Sequence, residues 1–335
     1  MSGKTKVLLF GCGVMGQKIA AALLRKRSFE IVGAVDIQPA LAGRDLGELL
    51  TPPRAVGIKI DSDPAAVLAR SKPDAAIVAT SSSLALLAEQ IRPLLRAGVH
   101  VVSTCEELAN PWLRQADLAR SLDELAKQHQ VALVGTGINP GYLMDSLPLM
   151  LTAACERVQA VKVVRVLDSA KRRLPFQQKV GTNMTVAEFK EKIASGKITG
   201  HVGLRESAGL IASGLGWTLD EIQETFPEAV LAKSPVATAL GTVEPGRVIG
   251  LRSQCHGRIK GATVVHLDFL AHAGVPEEYD EIRIEGEPNL HQKILGGVNG
   301  DIGTVAVTVN TVPRAVLARP GLRTMNELAI PSCTP

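Results

Sequence analysis

The chain has 335 residues and carries 37 Lys and Arg against 33 Asp and Glu, a formal net charge of +4. That length can bury a sizeable core, and so small a charge spread over it excludes a polybasic nucleic-acid or membrane-surface protein. Hydrophobic residues at 46% argue against disorder, and aromatic residues at 3% argue against a platform on which bases stack.

Lys6–Phe10 is a short apolar strand that ends in Gly11-Cys12-Gly13-Val14-Met15-Gly16. Gln17–Arg27 follows with helical spacing, Ile19, Ala22 and Leu23 sharing one face. Strand, glycine turn and helix in that order are the context in which GxGxxG binds a dinucleotide. Gly11 permits the tight turn, Gly13 lets a pyrophosphate approach the backbone, and Gly16 lets helix and strand pack closely. The helix start at Val14 and Met15 offers N–H groups and a dipole that favour phosphate. The second strand, Glu30–Val35, ends at Asp36, about 20 residues after Gly16, where an acid binds the adenosine ribose hydroxyls and repels a 2′-phosphate. Asp36 therefore favours NAD, while Arg44 in the following GRDLG is a counterweight that would admit NADP.

Asp74–Thr80 predicts a buried strand that leads through Ser81-Ser82-Ser83 into a helix from Leu84 to Ala97, ended by Gly98. Val99–Ser103 is the next strand. Asn110 and Pro111 read as N-cap and first residue of a helix reaching about Gln130, and Val131–Val134 as a strand ending in Gly135-Thr136-Gly137. This alternation predicts an α/β fold with a Rossmann-type doubly wound parallel sheet, whose ligands bind at the carboxyl ends of the strands. Residues 11–16, 80–83, 103–107 and 135–142 should gather there, with Thr80 and Ser81 touching the cofactor.

Beyond about residue 155 the pattern changes to a second α+β domain carrying an open sheet. Val158–Val166 reads as a strand, Val186–Ile193 and Glu206–Ser213 as helices, and Thr218-Leu219-Asp220-Glu221 as a capping box that starts another helix. Residues 247–285 are rich in β-type runs, and a last helix spans about Ile302–Leu317. The expected division is a dinucleotide-binding domain at 1–150, an α+β substrate and dimerisation domain at 151–300, and a C-terminal helix at 301–335 returning to the nucleotide domain. One face of the open sheet is expected to make a homodimer.

The five cysteines (Cys12, Cys105, Cys155, Cys255, Cys333) form no CxxC pair, which disfavours a disulfide scaffold or a zinc site and fits a reducing compartment. No apolar run approaches the roughly 20 residues that span a bilayer. The apolar stretch after Lys4 and Lys6 is short and runs into glycines rather than a cleavage site, so a cytoplasmic location is expected.

Glu106 and Glu107 in STCEEL stand where the nicotinamide would lie. Burial beside a cofactor raises a Glu pKa toward neutrality and suits acid–base work; the alternative is two solvated acids before Asn110. Adjacent residues point different ways, so one of the pair is expected to enter the site. Asn139 either caps a helix carrying Tyr142 and Asp145 or holds the nicotinamide carboxamide or the substrate. Arg165 and Arg172, in the cation-dense segment 165–173, either anchor a substrate carboxylate or form a wet strand end. His266 either faces a pocket or sits on the sheet, and Cys105 reads as an inert buried thiol.

Taken together, GCGVMG at 11–16, STCEEL at 103–108, TGINPGYLMD at 136–145, RRLPFQQKVG at 172–181 and GDIGTVAVTVNTVPRAVLARPGL at 300–322 resemble the 2,4-diaminopentanoate dehydrogenase family. Its relatives are the native NAD(P)-dependent amine dehydrogenases, within the dihydrodipicolinate-reductase-like group. No two of the seven histidines are adjacent, unlike the paired histidines of dihydrodipicolinate reductase. Glu107 stands where sugar dehydrogenases of the glucose–fructose oxidoreductase type carry a lysine. The resemblance implies reversible oxidative deamination of a primary amine, the partners being a small amine or ketone and ammonia, with NAD or NADP and no metal. It places the catalytic glutamate at Glu107, with Glu106 as fallback because the doublet leaves the alignment ambiguous by one. Tyr142, Arg165, Arg172, Phe176, His266 and Thr304 are the implied substrate contacts. A diamino-acid enzyme would use cations such as Arg172, Arg173 or Lys179, and a simple-amine enzyme an apolar pocket of Trp112, Tyr142, Leu174 and Phe176; the resemblance leans to a broad range of small amines.

Overall fold

Strand β1 (Thr5–Phe10) carries four consecutive buried apolar side chains, Val7 to Phe10, and an apolar run without alternation demands cover on both faces. In the computed structural model, which describes residues 3–335, it lies inside a parallel sheet. Its companions are β2 (Phe29–Val35), β3 (Ile60–Asp61), β4 (Ala75–Val78), β5 (His100–Ser103) and β6 (Ala132–Gly135). The helices that alternate with them are α1 (Val14–Leu23), α2 (Pro64–Ser71), α3 (Leu84–Arg96) and α4 (Ala116–Gln128). The spatial order β3-β2-β1-β4-β5-β6 is that of a doubly wound sheet, with its switch point between β1 and β4. Leu84, Leu87, Ile91 and Leu94 of α3 recur at helical spacing and bury one stripe against Val78, Val101 and Leu133.

The helix expected from Pro111 starts later. Pro111–Leu113 is a single 3-10 turn, Asn110 gives no side-chain cap, and α4 opens at Ala116 after the Arg114 and Gln115 amides have both donated to the Pro111 carbonyl.

The chain divides into two units, one made of the residues through Tyr142 together with Gly300–Pro335, the other of Leu143–Asn299. The second unit holds helices α5 (Ser146–Thr152), α6 (Leu174–Lys179), α7 (Val186–Ala194) and α8 (Leu204–Gly214). Its strands are β7 (Arg157–Asp168), β8 (Glu221–Glu224), β9 (Glu228–Leu231), the hairpin β10 (Val236–Thr238) and β11 (Gly241–Val243), β12 (Val248–Ile259), β13 (Ala262–His272), β14 (Tyr279–Glu287) and β15 (Leu290–Leu295). The main sheet runs β15-β14-β7-β13-β12, and β8 and β9 both pair along the outer edge of β12. Strands β7 and β13 are parallel and their neighbours antiparallel. Helix α8 covers one face, against β8, β12 and β13.

The capping box read at Thr218–Glu221 does not start a helix. Residues 221–224 pair antiparallel with 255–258, the Asp220 carboxylate accepts from the Lys260 amide, and Pro227 would end any helix begun there. The pairing groups on the edge of β12 outweigh a local cap.

Two elements return to the first sheet. Helix α9 (Gly300–Val316) packs beside α1 and over β4, β5 and β6, and β16 (Gly321–Arg323) adds a parallel seventh strand beside β6. The sequence pattern indicates only a chain break at Pro320-Gly321. The strand is pinned by tertiary contact, the Leu322 amide donating to Asp123 Oδ1 at 2.9 Å.

Candidate active site

The three glycines of the β1–α1 turn are used in two ways. Gly11 has φ +99°, and a Cβ there would lie 2.7 Å from the Ala79 carbonyl oxygen. A Cβ at Gly16 would lie 1.8 Å from the Gly11 carbonyl oxygen. Both are demanded by the packing of the protein on itself. A Cβ at Gly13 would meet nothing within 4 Å, so that backbone stands bare, as the approach of a pyrophosphate requires. Helix α1 begins at Val14, earlier than the apolar spacing indicates, with Gly13 at its N-cap and no capping side chain. The first-turn amides at Val14 and Met15 thus lie beside the bare backbone, a setting that fits a dinucleotide.

Asp36, only 6% exposed, closes the same turn. Its Oδ2 accepts from the Cys12 amide at 2.7 Å and its Oδ1 from the Gln38 amide at 2.9 Å, which leaves lone pairs for ribose hydroxyls. Burial and then the Asp36 charge push the Cys12 thiol up to about 12. Arg44 spends its charge on Glu48, Nε to Oε2 at 3.1 Å. Beyond β4, Thr80 Oγ1 bonds Gln90 and Ser81 Oγ accepts from the Ser83 amide at 3.0 Å; both follow the Ala79 carbonyl against which Gly11 sits.

The carboxylate doublet lies in a 3-10 turn, Glu106–Ala109. A Cβ at Gly135 would lie 2.4 Å from the Leu108 carbonyl carbon, so this turn and the end of β6 meet backbone to backbone. Here the two acids part company. Glu107 Oε2 accepts from the Leu84 amide at the start of α3 and from Gln115 Nε2, each at 2.8 Å. Ser83, at the N-cap of α3, contributes no side-chain bond, so Glu107 caps that helix from another strand's loop. Among the described residues no hydrogen bond or ion pair holds Glu106 in this way. Burial, followed by the charges of both glutamates, pushes the Cys105 thiol up to about 12, which keeps it protonated and inert.

The β6 loop folds over the same ends. The Thr136 amide donates to the Ser103 carbonyl at 2.8 Å, and the Ile138 amide to Thr304 Oγ1 at 3.3 Å. Thr304, on α9, therefore supports this loop. Asn139 is buried within it and precedes a cis proline; it caps no helix, since α5 begins only at Ser146 and is capped by Asp145. Tyr142 is half-buried at the loop's end.

In the second unit Arg165 is 1% exposed, which rules out a wet strand end. Its Nη2 donates to the Val298 carbonyl at 2.5 Å and its Nε lies 3.5 Å from Asp280 Oδ1. Burial pushes the arginine pKa down and the aspartate pKa up. The Arg172 guanidinium lies 4.6 Å from the centre of the Phe176 ring. Trp112 and Leu174 are exposed. His266 pairs with His256 and Lys162, one residue out of phase with the core-facing Leu267, so it lies on the face of the sheet opposite Arg165. It stacks on His256 with centroids 4.7 Å apart. A single small substrate cannot touch both Arg165 and His266. Sequence reasoning missed His201, whose ring stacks on Phe269 at 4.4 Å; an isolated histidine in a loop gives no periodic signal. Among the described residues no cluster of His, Cys, Asp or Glu is placed to hold a metal ion, and no helix is long and apolar enough to cross a membrane.

Residues 142–334 match the 2,4-diaminopentanoate dehydrogenase C-terminal domain, and residues 5–137 match the oxidoreductase family with an NAD-binding Rossmann fold. The 2,4-diaminopentanoate dehydrogenase of Acetoanaerobium sticklandii is 32% identical over 339 residues, spanning 98% of this chain and 94% of the relative. An amine dehydrogenase of Streptomyces virginiae is 24% identical over 94% of this chain and 93% of its own. The solved amine dehydrogenase from Mycobacterium smegmatis superposes with a TM-score of 0.84 at 28% identity, over 99% of this chain and 98% of that one. A dihydrodipicolinate reductase from Paenisporosarcina, at 12% identity and a TM-score of 0.53, shares the fold alone. With a bare glycine turn that fits a dinucleotide and matches along its whole length, the chain belongs to the 2,4-diaminopentanoate dehydrogenase family of NAD(P)-binding oxidoreductases.

Proposed function

We propose that this oxidoreductase is an amine dehydrogenase, converting a primary amine and water to a ketone and ammonia, and the reverse. The observation that carries the reading is the doublet beyond β5, one glutamate anchored and the other uncommitted. A bound nicotinamide cofactor would take or give the hydride at the amine carbon. The rest of the chemistry falls to the chain. An anionic carboxylate favours the cationic iminium through which an amine must pass, and it carries protons between water, ammonia and the reacting carbon. A cation at that position would oppose the iminium. The resemblance alone favours Glu107; the anchoring of Glu107 supports Glu106 as the proton carrier and Glu107 as the residue that positions the turn.

The turn of Gly11, Gly13 and Gly16, with Val14 and Met15, would hold the pyrophosphate, and Thr80 and Ser81 would line its edge. Asp36 would hold the adenosine ribose. With Arg44 engaged by Glu48, that pairing supports NAD over NADP. Asn139 and Thr304 would fix the β6 loop at the nicotinamide end, and Tyr142 at the end of that loop would meet the substrate. Five free cysteines and an open sheet face support a homodimer working in the cytoplasm.

The test is oxidation of NADH and of NADPH with a panel of aliphatic and cyclic ketones and 2-amino-4-oxopentanoate, with and without high ammonia. Strict dependence on ammonia, faster with NADH, is expected. Oxidation without ammonia would overturn the reading in favour of an alcohol-type dehydrogenase, and silence on every ketone would leave a nucleotide-sensing protein.

A further inference from the structure

Helix α4 starts on a residue unsuited to start it. The N-cap position of a helix favours Ser, Thr, Asp or Asn, whose short side chains reach the free amides of the first turn. At that position α4 carries Gln115, and its side chain caps nothing in its own helix. The half-buried side chain reaches away instead, Nε2 donating to Glu107 Oε2 at 2.8 Å. Helix α3 forgoes its cap in the same way. Its N-cap Ser83 contributes no side-chain bond, and the Leu84 amide donates to that same Glu107 oxygen at 2.8 Å. Two helix starts are thus organised around one carboxylate oxygen of a third element, the 3-10 turn Glu106–Ala109.

A missing cap costs about 1 kcal/mol, so stability alone would place a serine or an aspartate at 115. What the glutamine secures is the turn. On its backbone side the turn is already held, Cys105 Sγ donating to the Ser82 carbonyl at 3.1 Å. The two helices are joined further along, Arg92 Nη1 and Nη2 donating to Ser121 Oγ at 3.3 and 3.2 Å. Glu107 is the piece between them, fixed to α3 by Leu84 and to α4 by Gln115. Glu106 precedes it directly, so a swing of Glu107 turns the peptide that carries Glu106. Of the two ties on this oxygen, the one from Gln115 comes from a side chain, and a substitution can cut it without moving a backbone amide.

We propose that Gln115 is a positioning residue, whose side-chain amide holds Glu107 so that Glu106 is presented to the reacting atoms. That role rests on Glu106 being the proton carrier of an amine dehydrogenase.

The test uses the full chain and compares Gln115→Met and Gln115→Glu with the wild type in ammonia-dependent NADH oxidation, between about pH 6 and about pH 9. Methionine keeps the length of the side chain and removes the donor. Its kcat should fall on the order of 10- to 100-fold at every pH, the loss expected when a catalytic group is displaced by about an ångström. NADH affinity, from fluorescence titration, should stay at the wild-type value. In Gln115→Glu two carboxylates face each other, and like charges so close raise one pKa strongly. In mild acid the pair shares a proton and the donated bond returns; in alkali the pair repels and Glu107 swings. The kcat of Gln115→Glu relative to wild type should therefore rise on the order of tenfold as the pH falls across that range. Glu106 and Cys105, the other titratable groups of the turn, and Arg114 beside Gln115 are common to both proteins and cancel in the ratio. A general fold defect gives neither rescue by acid nor an unaltered NADH affinity. Wild-type kcat in Gln115→Met, or a ratio for Gln115→Glu that ignores pH, would overturn the positioning role and leave the amine dehydrogenase reading standing. Oxidation without ammonia in the wild type would sink that reading, and the same ratios would then be read from the ammonia-independent reaction. Silence on every ketone would overturn both.

Discussion

A carboxylate that accepts from a helix-start amide and from a glutamine side chain is held in place, and Glu107 has both partners. Replacing it with glutamine should therefore register first as lost stability, about 1 kcal/mol for a forfeited helix cap, with a partial loss of rate as the turn loosens. Glu106→Gln should leave the melting temperature alone and lower kcat on the order of 10²- to 10⁴-fold, the span of general acid–base catalysis. Thermal melts and steady-state rates on the two variants decide the matter, and the opposite pattern would return the chemistry to Glu107. The sequence singles out the doublet by its place after β5. That Glu107 is the member tied down was not legible, because its partners Leu84 and Gln115 lie in other elements and no local pattern reveals the contact. Arg165 is a similar case. Its neighbours along the chain suggest a wet cationic strand end, and only the pairing with Phe269 and Asp280 shows it to be buried.

At the scale of elements, the alternation of apolar strands and amphipathic helices carried most of the first sheet, and the glycine pattern carried the tight turn from β1 into α1. The three glycines make separable predictions. Gly13→Ala should keep the melting temperature of the cofactor-free protein, since its Cβ meets open space, yet weaken NADH binding by filling that space. Gly16→Ala should destabilise the cofactor-free protein itself, because its Cβ collides with the Gly11 carbonyl. Fluorescence titration with NADH beside thermal melts checks both, and a stable Gly16→Ala protein would refute the packing argument. Helix caps were less dependable. The box at Thr185 and Glu188 forms, as does the Asp63 cap before Pro64 that opens α2. The box at Thr218 was readable and does not form. A cap contributes about 1 kcal/mol, less than four residues of edge pairing backed by Pro227.

For the molecule as a whole, buried histidines contribute to the response to acid, His100 and His201 among them. His100 Nδ1 accepts the Ala132 amide at 3.0 Å, which only a neutral ring can do, and burial pushes its pKa below the ordinary value. Burial, then Lys179 and Arg165, push His201 down to about 3. Both folded-state values lie below the unfolded value of about 6.5, so folding excludes a proton that the unfolded chain takes up. The stability this gives is fully present above about pH 6.5 and is lost as the pH falls toward 3. Melting temperatures should hold steady above neutrality and decline below it, and His100→Gln, whose amide oxygen accepts without titrating, should soften the upper part of that decline. A melting temperature that rises on acidification would contradict the assignment.

The first unit takes α9 and β16 from residues that follow the whole of the second unit. On a ribosome this imposes an order of events. Strands β1 to β6 emerge early, but the helix that covers β4, β5 and β6 and the strand that borders β6 reach the growing protein only after Leu143–Asn299 has been translated, an interval on the order of ten seconds or more at usual elongation rates. Throughout that interval the apolar face awaiting α9 and the open edge of β6 are exposed to solvent and to neighbouring nascent chains. The unit made second can finish folding first, and the nucleotide-binding half is the one that needs shelter during its own synthesis.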